Sequence, residues 1–396
     1  MAEAVNDAHN QSLNHFLSDS VWKWQPVMDA ISRRCFSIFT SLKDPVGFLI
    51  DESGIPKSGK HSAGVAHQYC GQTGKNDNCQ VGVFGALCSG NLVSIIQSKL
   101  YLPKEWIGNS NRCAKAKIPK QENKYKSKID LAEEIINYVW KKLNLKFDFV
   151  SFDAFYGRDL SFLQRLYKSG ITFMADIPES HHVFLKPFTI AVPEKKPGRG
   201  RKPIHAKPSG ESMPVKEYVD LLWKKDFKKL TIRKGTKGAI RASFHKRCVW
   251  LFNDNNKTMS RFILLVRKDD DGTLRYSLTN SKKHLCKLAF MQGQRYFVER
   301  AFQDAKQQLG LNQYQVRSYL AWYRHITMTM MGMQFITEEK LRNKTAEIYV
   351  TAADIVELLT FLLPKRIITL KELELRIKKK NKHYQSLVKP PKKKKK

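Results

Sequence analysis

The chain has 396 residues, 42% of them hydrophobic, which is enough for one large core and long enough for two or three modules. Lys and Arg number 70 against 36 Asp and Glu, a formal charge of +34 that predicts a polyanionic partner through phosphate neutralisation and counterion release. The apolar runs are short and interrupted by charges, which argues against a membrane-spanning helix, and the start MAEAVNDAHNQSLNHF has no basic n-region and no apolar h-region, so a cytoplasmic location is expected.

Residues 1–42 read as helical, with Leu13, Phe16 and Leu17 and then Val27, Met28 and Ile31 at helix-like spacings. Next comes VGFLIDESGIPKSGKHS, from Val46 to Ser62. Its run Phe48-Leu49-Ile50 predicts a buried strand that delivers Asp51 and Glu52 at its carboxyl end before breaking into Ser53, Gly54 and Pro56. An acid held there suits a divalent cation, and the lysines at 57 and 60 suit a phosphate; an Asx-type turn is the plainer explanation of the same residues. Cys79–Ser94 and Ile95–Leu102 then read as two strands of an antiparallel meander. SKIDLAEEIINYVWKKL (127–143) puts Ile129, Leu131, Ile135, Ile136, Val139, Trp140 and Leu143 on one helical face.

A second buried strand, FDFVSFDAF (147–155), ends on Asp153, and after a helix around Leu160 to Lys168 a third, Ile171 to Ile177, carries Asp176. Asp51 and Asp153 are thus expected at the ends of neighbouring strands, where two carboxylates can clamp a cation. From about residue 178 to 283 the character changes: PEKKPGRGRKP (193–203) reads as a flexible, phosphate-seeking loop, and KRCVWLF, RFILLVR and TLRYSLT read as strands of a β-rich insertion. Within it Trp250 could stack on an extruded base, although core packing is the commoner role for such a residue. Helical character from Leu285 through Gly310 places Arg295, Glu299 and Lys306 on one face. An i,i+4 salt bridge explains the first two; a functional reading makes Glu299 a third carboxylate with Arg295 and Lys306 gripping phosphate on either side. A long apolar helix follows Gly310, with its methionines read as core, then two short helices and the tail KPPKKKKK. The seven cysteines form no CxxC pair, and the nine-residue spacing of Cys70, Cys79 and Cys88 is read as buried strand rather than metal site.

Three acids therefore stand in the order Asp51, Asp153, Glu299, the last in R-x3-E-x6-K. This resembles the DDE transposases of bacterial insertion sequences, in the cut-and-paste branch whose third-acid helix reads Y-x2-R-x3-E-x6-K. The resemblance covers roughly residues 40–335: IDESGIPKSGKHSAGVAHQYCGQTGKNDNCQVGVF, YLPKEW with the RC that follows, FDAFYGRD, and VERAFQDAKQQLGLNQYQVRS with the nearby WYRH. It departs at the tyrosine, where this chain has Gln292 and one phosphate contact falls away.

The resemblance implies an α/β fold with a ribonuclease-H-like mixed sheet, flanking helices, a β-rich insertion before the last catalytic helix and a helical C-terminal region. On that reading 1–42 is a helical N-terminal segment, 43–178 the first part of the core, 179–284 the basic insertion, 285–340 the rest of the core, and 341–396 the C-terminal region with its tail. About 45 residues precede the Asp51 strand, short for a terminal-repeat reader, so a reduced or truncated copy is expected. The resemblance further implies that Asp51, Asp153 and Glu299 hold two Mg²⁺ ions, replaceable by Mn²⁺, and that Arg295 and Lys306, with Lys60 and Arg317 as weaker candidates, contact the phosphates of double-stranded DNA. It implies a homodimer on DNA, no membrane partner, and a cytoplasmic, nucleoid-associated setting. Glu52, Asp159, Asp176 and Asp304 are ranked structural. A decayed, purely DNA-binding copy and a related ribonuclease-H-like nuclease stay open as alternatives.

Overall fold

The computed structural model describes residues 9–194, 202–235, 238–344, 350–363 and 369–387. Most of the loop expected at 193–203 and the tail from Lys389 onward lie outside these described residues.

Two helices open the chain, α1 (Asn10–Ser18) and α2 (Trp24–Thr40). The strand expected around Asp51 is β1, Gly47–Pro56, and it does not break after Glu52. Its hydrogen bonds to β3 (Lys75–Ser89) continue through Pro56, so Asp51 sits in mid-strand rather than at a tip. A short β2 (Ala66–Cys70), not anticipated from the pattern, pairs with the start of β3. β3 turns into β4 (Leu92–Leu100) at Gly90, whose φ of +58° supplies the left-handed geometry of the tight turn. The break expected after Ser94 thus falls four residues earlier than the pattern suggested, because a buried run on both sides of Gly90 hides the turn.

Helix α3 (Lys128–Asn137) starts at a capping box between Ser127 and Asp130 and continues as a wider helical turn over Tyr138–Lys142. Leu131, Ile135, Ile136, Val139 and Leu143 are buried along it, as the apolar spacing required. It leads into β5 (Phe149–Phe152), which is buried throughout, and α4 (Leu160–Lys168) leads from there to β6 (Phe173–Ile177). β5 runs parallel to both β1 and β6. Burial on both faces explains why β1 and β5 carry unbroken apolar runs instead of an alternating pattern.

The three strands read as an insertion are β8 (Gly238–Asn253), β9 (Thr258–Lys268) and β10 (Leu274–Thr279), and a further strand, β7 (Lys228–Gly235), not anticipated from the pattern, precedes them. They extend the same sheet, because β10 pairs antiparallel with β6. Among the described residues this gives a ten-stranded mixed sheet in the order β7-β8-β9-β10-β6-β5-β1-β3-β2, with β4 on β3. Helices α5 (Leu285–Gln294) and α6 (Tyr296–Gln308) replace the single helix expected from Leu285 to Gly310. Their hydrogen-bond ladder is interrupted at Arg295, where the bonds tighten to Arg295 N–H on the Gln292 carbonyl and Val298 N–H on the Arg295 carbonyl. Helix α7 (Tyr319–Lys344) begins later than expected, after a non-helical stretch from 311, and buries Met330 and Met333. Helices α8 (Ala352–Leu362) and α9 (Leu370–Leu387) close the described chain. No helix among the described residues is long and apolar enough to cross a membrane.

Candidate active site

The register of the parallel strands builds the site. Leu49 of β1 lies opposite Ser151 of β5, and Phe152 of β5 lies opposite Ala175 of β6. Continued past their last pairs, two residues along the first register and one along the second, these strands set Asp51 level with Asp153 and Asp153 level with Asp176, and Asp176 is itself paired with Ser277 of β10. Residues that lie directly opposite point to the same face. The strand order therefore gathers three acids that stand 102 and 23 positions apart in the chain.

Each acid is fixed differently. Asp51 is half-buried, and its Oδ1 accepts the Glu52 backbone N–H at 2.8 Å. Burial, then the facing carboxylate of Asp153, then that of Glu52 push its pKa up to about 7. Asp153 caps the short helix Ala154–Gly157, accepting from the backbone N–H of Phe155 at 3.0 Å and of Tyr156 at 3.4 Å. Burial and the Glu52 charge raise its pKa as well, against the pull of those two amides and of Arg295. The helix after Asp153 lies so close to β6 that a Cβ on Gly157 would sit 1.9 Å from the Asp176 carbonyl oxygen. Only glycine fits there.

Glu52 points to the other face of β1. Its Oε1 takes the Lys128 ammonium at 2.9 Å and its Oε2 the Tyr156 hydroxyl at 2.7 Å, which ties α3 and the Asp153 helix to the strand. Asp159 caps α4, and Asp304 is buried between Arg300 and Lys340. These roles agree with a structural ranking.

Glu299 is set apart from the other two acids. Its side chain is 58% exposed on α6 and is held by the guanidinium of Arg295 at 3.1 Å, the plain i,i+4 pair. The same guanidinium binds Asp176 at 2.8 Å and is only 17% exposed. Asp176, then Glu299, Asp51 and Asp153 all hold the Arg295 charge in place. Lys306, one helical turn past Phe302, is half-buried with its ammonium 5.8 Å from the Phe302 ring; burial lowers its pKa, against the opposing pull of Cys70 and then Asp51. Among the described residues no three His, Cys, Asp or Glu side chains are grouped closely enough to form a metal-binding cluster.

The remaining candidates lie outside this row. Lys60 is exposed on the loop after β1, where its carbonyl accepts from Arg112 at 3.0 Å. Arg317 is exposed on the adjacent strand of loop, joined by the Ala63 N–H to its carbonyl at 2.9 Å. Lys57 is committed elsewhere: its ammonium donates to the Tyr314 carbonyl and lies 4.4 Å from that ring, and burial lowers its pKa to about 8. Trp250 is half-buried, bridged to Phe184 through both backbone bonds at 2.9 Å, with Arg261 over its ring at 5.7 Å. Gln292 is buried and donates to the Ser277 hydroxyl at 2.6 Å, and that hydroxyl donates to Asp176 at 2.6 Å, so the residue at the tyrosine position supports the row from below.

The family profile of the DDE superfamily endonucleases matches residues 1–239 of this sequence. The chain belongs to the DDE superfamily endonucleases. A probable transposase for insertion sequence element IS701 from Microchaete diplosiphon is similar to this DDE endonuclease, 27% identical over 191 residues, which cover 47% of this chain and 46% of that protein. The match therefore spans about half the length of the curated relative. The crystal structure of the NurA nuclease from Sulfolobus solfataricus aligns with 85% of this chain and 98% of its own at 7% identity, with a TM-score of 0.28, too low to carry an argument.

Proposed function

We propose that this DDE endonuclease is an insertion-sequence transposase that cleaves and joins DNA phosphodiesters, with Asp51, Asp153 and Glu299 as its acids. What supports the reading is the closeness of the Asp51 and Asp153 carboxylates, whose charges oppose each other, together with Arg295 at the head of α6, which feels both of them and pairs with Glu299. The strand order β4-β3-β1-β5-β6, antiparallel at one end and parallel at the other, supports a ribonuclease-H-like core within the larger sheet.

The donor set fits a divalent cation. Asp51 and Asp153 are oxygen ligands whose mutual repulsion favours a bound positive charge, and Glu299 is exposed and tied only by one exchangeable ion pair. When bound, two Mg²⁺ ions, or Mn²⁺, supply the charge that activates a water or a 3′-hydroxyl and stabilises the leaving oxygen. The chain's own residues do the rest. Asp153, locked by its cap, sets the position of the reacting phosphate relative to Asp51. Arg295 and Lys306 neutralise the phosphate from one helix face, and Lys60 and Arg317 hold the duplex backbone further out. The excess of cations draws in double-stranded DNA, and two copies act together because two ends must be cut and joined. Such a protein works in the cytoplasm on the nucleoid.

One observation favours a second reading. Glu299 is engaged by Arg295 rather than grouped with the other acids, as expected of a copy that binds DNA without cutting it. Nicking of supercoiled plasmid in Mg²⁺ or Mn²⁺ at low salt, by this protein and by Asp153→Ala, decides. Metal-dependent nicking lost in the variant supports the transposase reading. DNA binding by both with nicking by neither supports the second.

A further inference from the structure

Asp176 lies in the acid row, yet neither the three-acid reading nor any phosphate contact uses it. Its Oδ2 forms an ion pair with Arg295 Nε at 2.8 Å, and its Oδ1 accepts the Ser277 hydroxyl at 2.6 Å. Ser277 is fully buried and in turn accepts from Gln292 at 2.6 Å. Gln292 lies one turn before Arg295, so the chain of bonds leaves the helix at Gln292, crosses β10 and β6, and returns to the helix at Arg295. The loop encloses the point where the α5–α6 ladder is interrupted. Arg295 is thereby paired on one side with a half-buried, strand-borne carboxylate and presents its other edge to Glu299.

We infer that Asp176 is a positioning residue: it anchors Arg295, and through Arg295 it fixes where Glu299 stands relative to Asp51 and Asp153. This rests on the reading of the three acids given above. An arginine suits the task because its planar guanidinium can face two carboxylates at once, Asp176 through Nε and Glu299 through a terminal nitrogen, where an ammonium is a single point charge. Asp176 also balances the arginine's charge. Without it the guanidinium would lean on Asp51, Asp153 and Glu299 and oppose any cation those acids bind.

The test has two arms. In the first, the DNA-free, metal-free chain carries ¹⁵N-labelled arginine, and the Nε–H signal of Arg295 is identified by its absence in Arg295→Lys. Exchange of that proton is expected to be slowed at least about tenfold relative to exposed arginines, to become unprotected in Asp176→Asn, and to stay protected in Glu299→Gln. Protection that survives Asp176→Asn overturns the anchor. In the second arm, plasmid nicking in Mn²⁺ is compared across Asp176→Asn, Arg295→Lys and the double variant, each with its melting midpoint and DNA affinity. Asp176→Asn is expected to lower nicking about tenfold alone and less than about twofold in the Arg295→Lys background, with DNA affinity unchanged. Asp176→Glu restores part of the loss. Equal losses in both backgrounds overturn the positioning role. Absence of nicking by the unsubstituted chain would overturn the three-acid reading, while the first arm would still decide whether Asp176 holds Arg295.

Discussion

The strand-borne acids and the helix-borne Glu299 differ in how they are held. Asp51 and Asp153 stand on the central parallel strands, where Phe48, Leu49, Val150 and Phe152 are buried and the backbone has little freedom to move. Glu299 stands on a helix surface, exposed, with one ion pair for support. The difference teaches that burial between strands fixes the first two carboxylates, whereas on α6 only the Arg295 guanidinium holds the third.

That contrast can be broken in several ways. The largest effect is expected from Asp153→Ala or Asp51→Asn, each lowering metal-dependent nicking about 100-fold or more while leaving DNA binding in place, as gel shift and plasmid assays would register. An equal DNA-binding loss would mean that these acids serve the fold instead.

Next is Gly157→Ala. The added Cβ would press on the Asp176 carbonyl at 1.9 Å, so the cap helix must shift, at a cost of about 1–3 kcal/mol by thermal or urea unfolding. Nicking should fall with it, because Asp153 caps that helix; unchanged stability would show the cap to be pliable.

A smaller effect concerns pH in the presence of a chelator. Asp51 titrates near 7 in the folded protein, above its ordinary value of 3.8. The folded state therefore binds the proton more tightly than the unfolded chain, so this stabilisation is full below about pH 4 and is lost as pH rises through 7. Asp51→Asn should flatten the melting midpoint between pH 5 and 7.5 relative to the parent chain. Parallel profiles would remove the repulsion between Asp51 and Asp153 from the account.

The smallest effect is on the other side of the contrast. Glu299→Gln should change unfolding stability by less than about 0.5 kcal/mol, the usual scale of an exposed i,i+4 pair, while nicking falls by at least about tenfold. A large stability loss there would mean that Glu299 is as firmly built in as Asp51.

The local elements were legible in the sequence wherever their chemistry is local. The capped helix from Ser127, the apolar runs that became β1 and β5, the three alternating runs that became β8, β9 and β10, and the order Asp51, Asp153, Glu299 all follow from periodicity and turn residues. A family resemblance carried by four motifs then gave the acids a role that spacing alone leaves open. Boundaries were less legible. Nothing in ESGIP announces that β1 runs on to Pro56, because the pairing partner that keeps it extended, β3, lies elsewhere in the chain.

Other features belong to the tertiary structure alone. Residues 228–279 extend the core sheet because the free edge of β6 accepts β10, and an edge is not a property of any one segment. Asp176 and Ser277 meet Arg295 only through that pairing, and Gln292 finds its partner in Ser277 by the same route. The sequence by itself determined which side chains carry charge and which strands are buried. The register between strands decided which charges share a face, since one residue of slip would turn each of them to the opposite side.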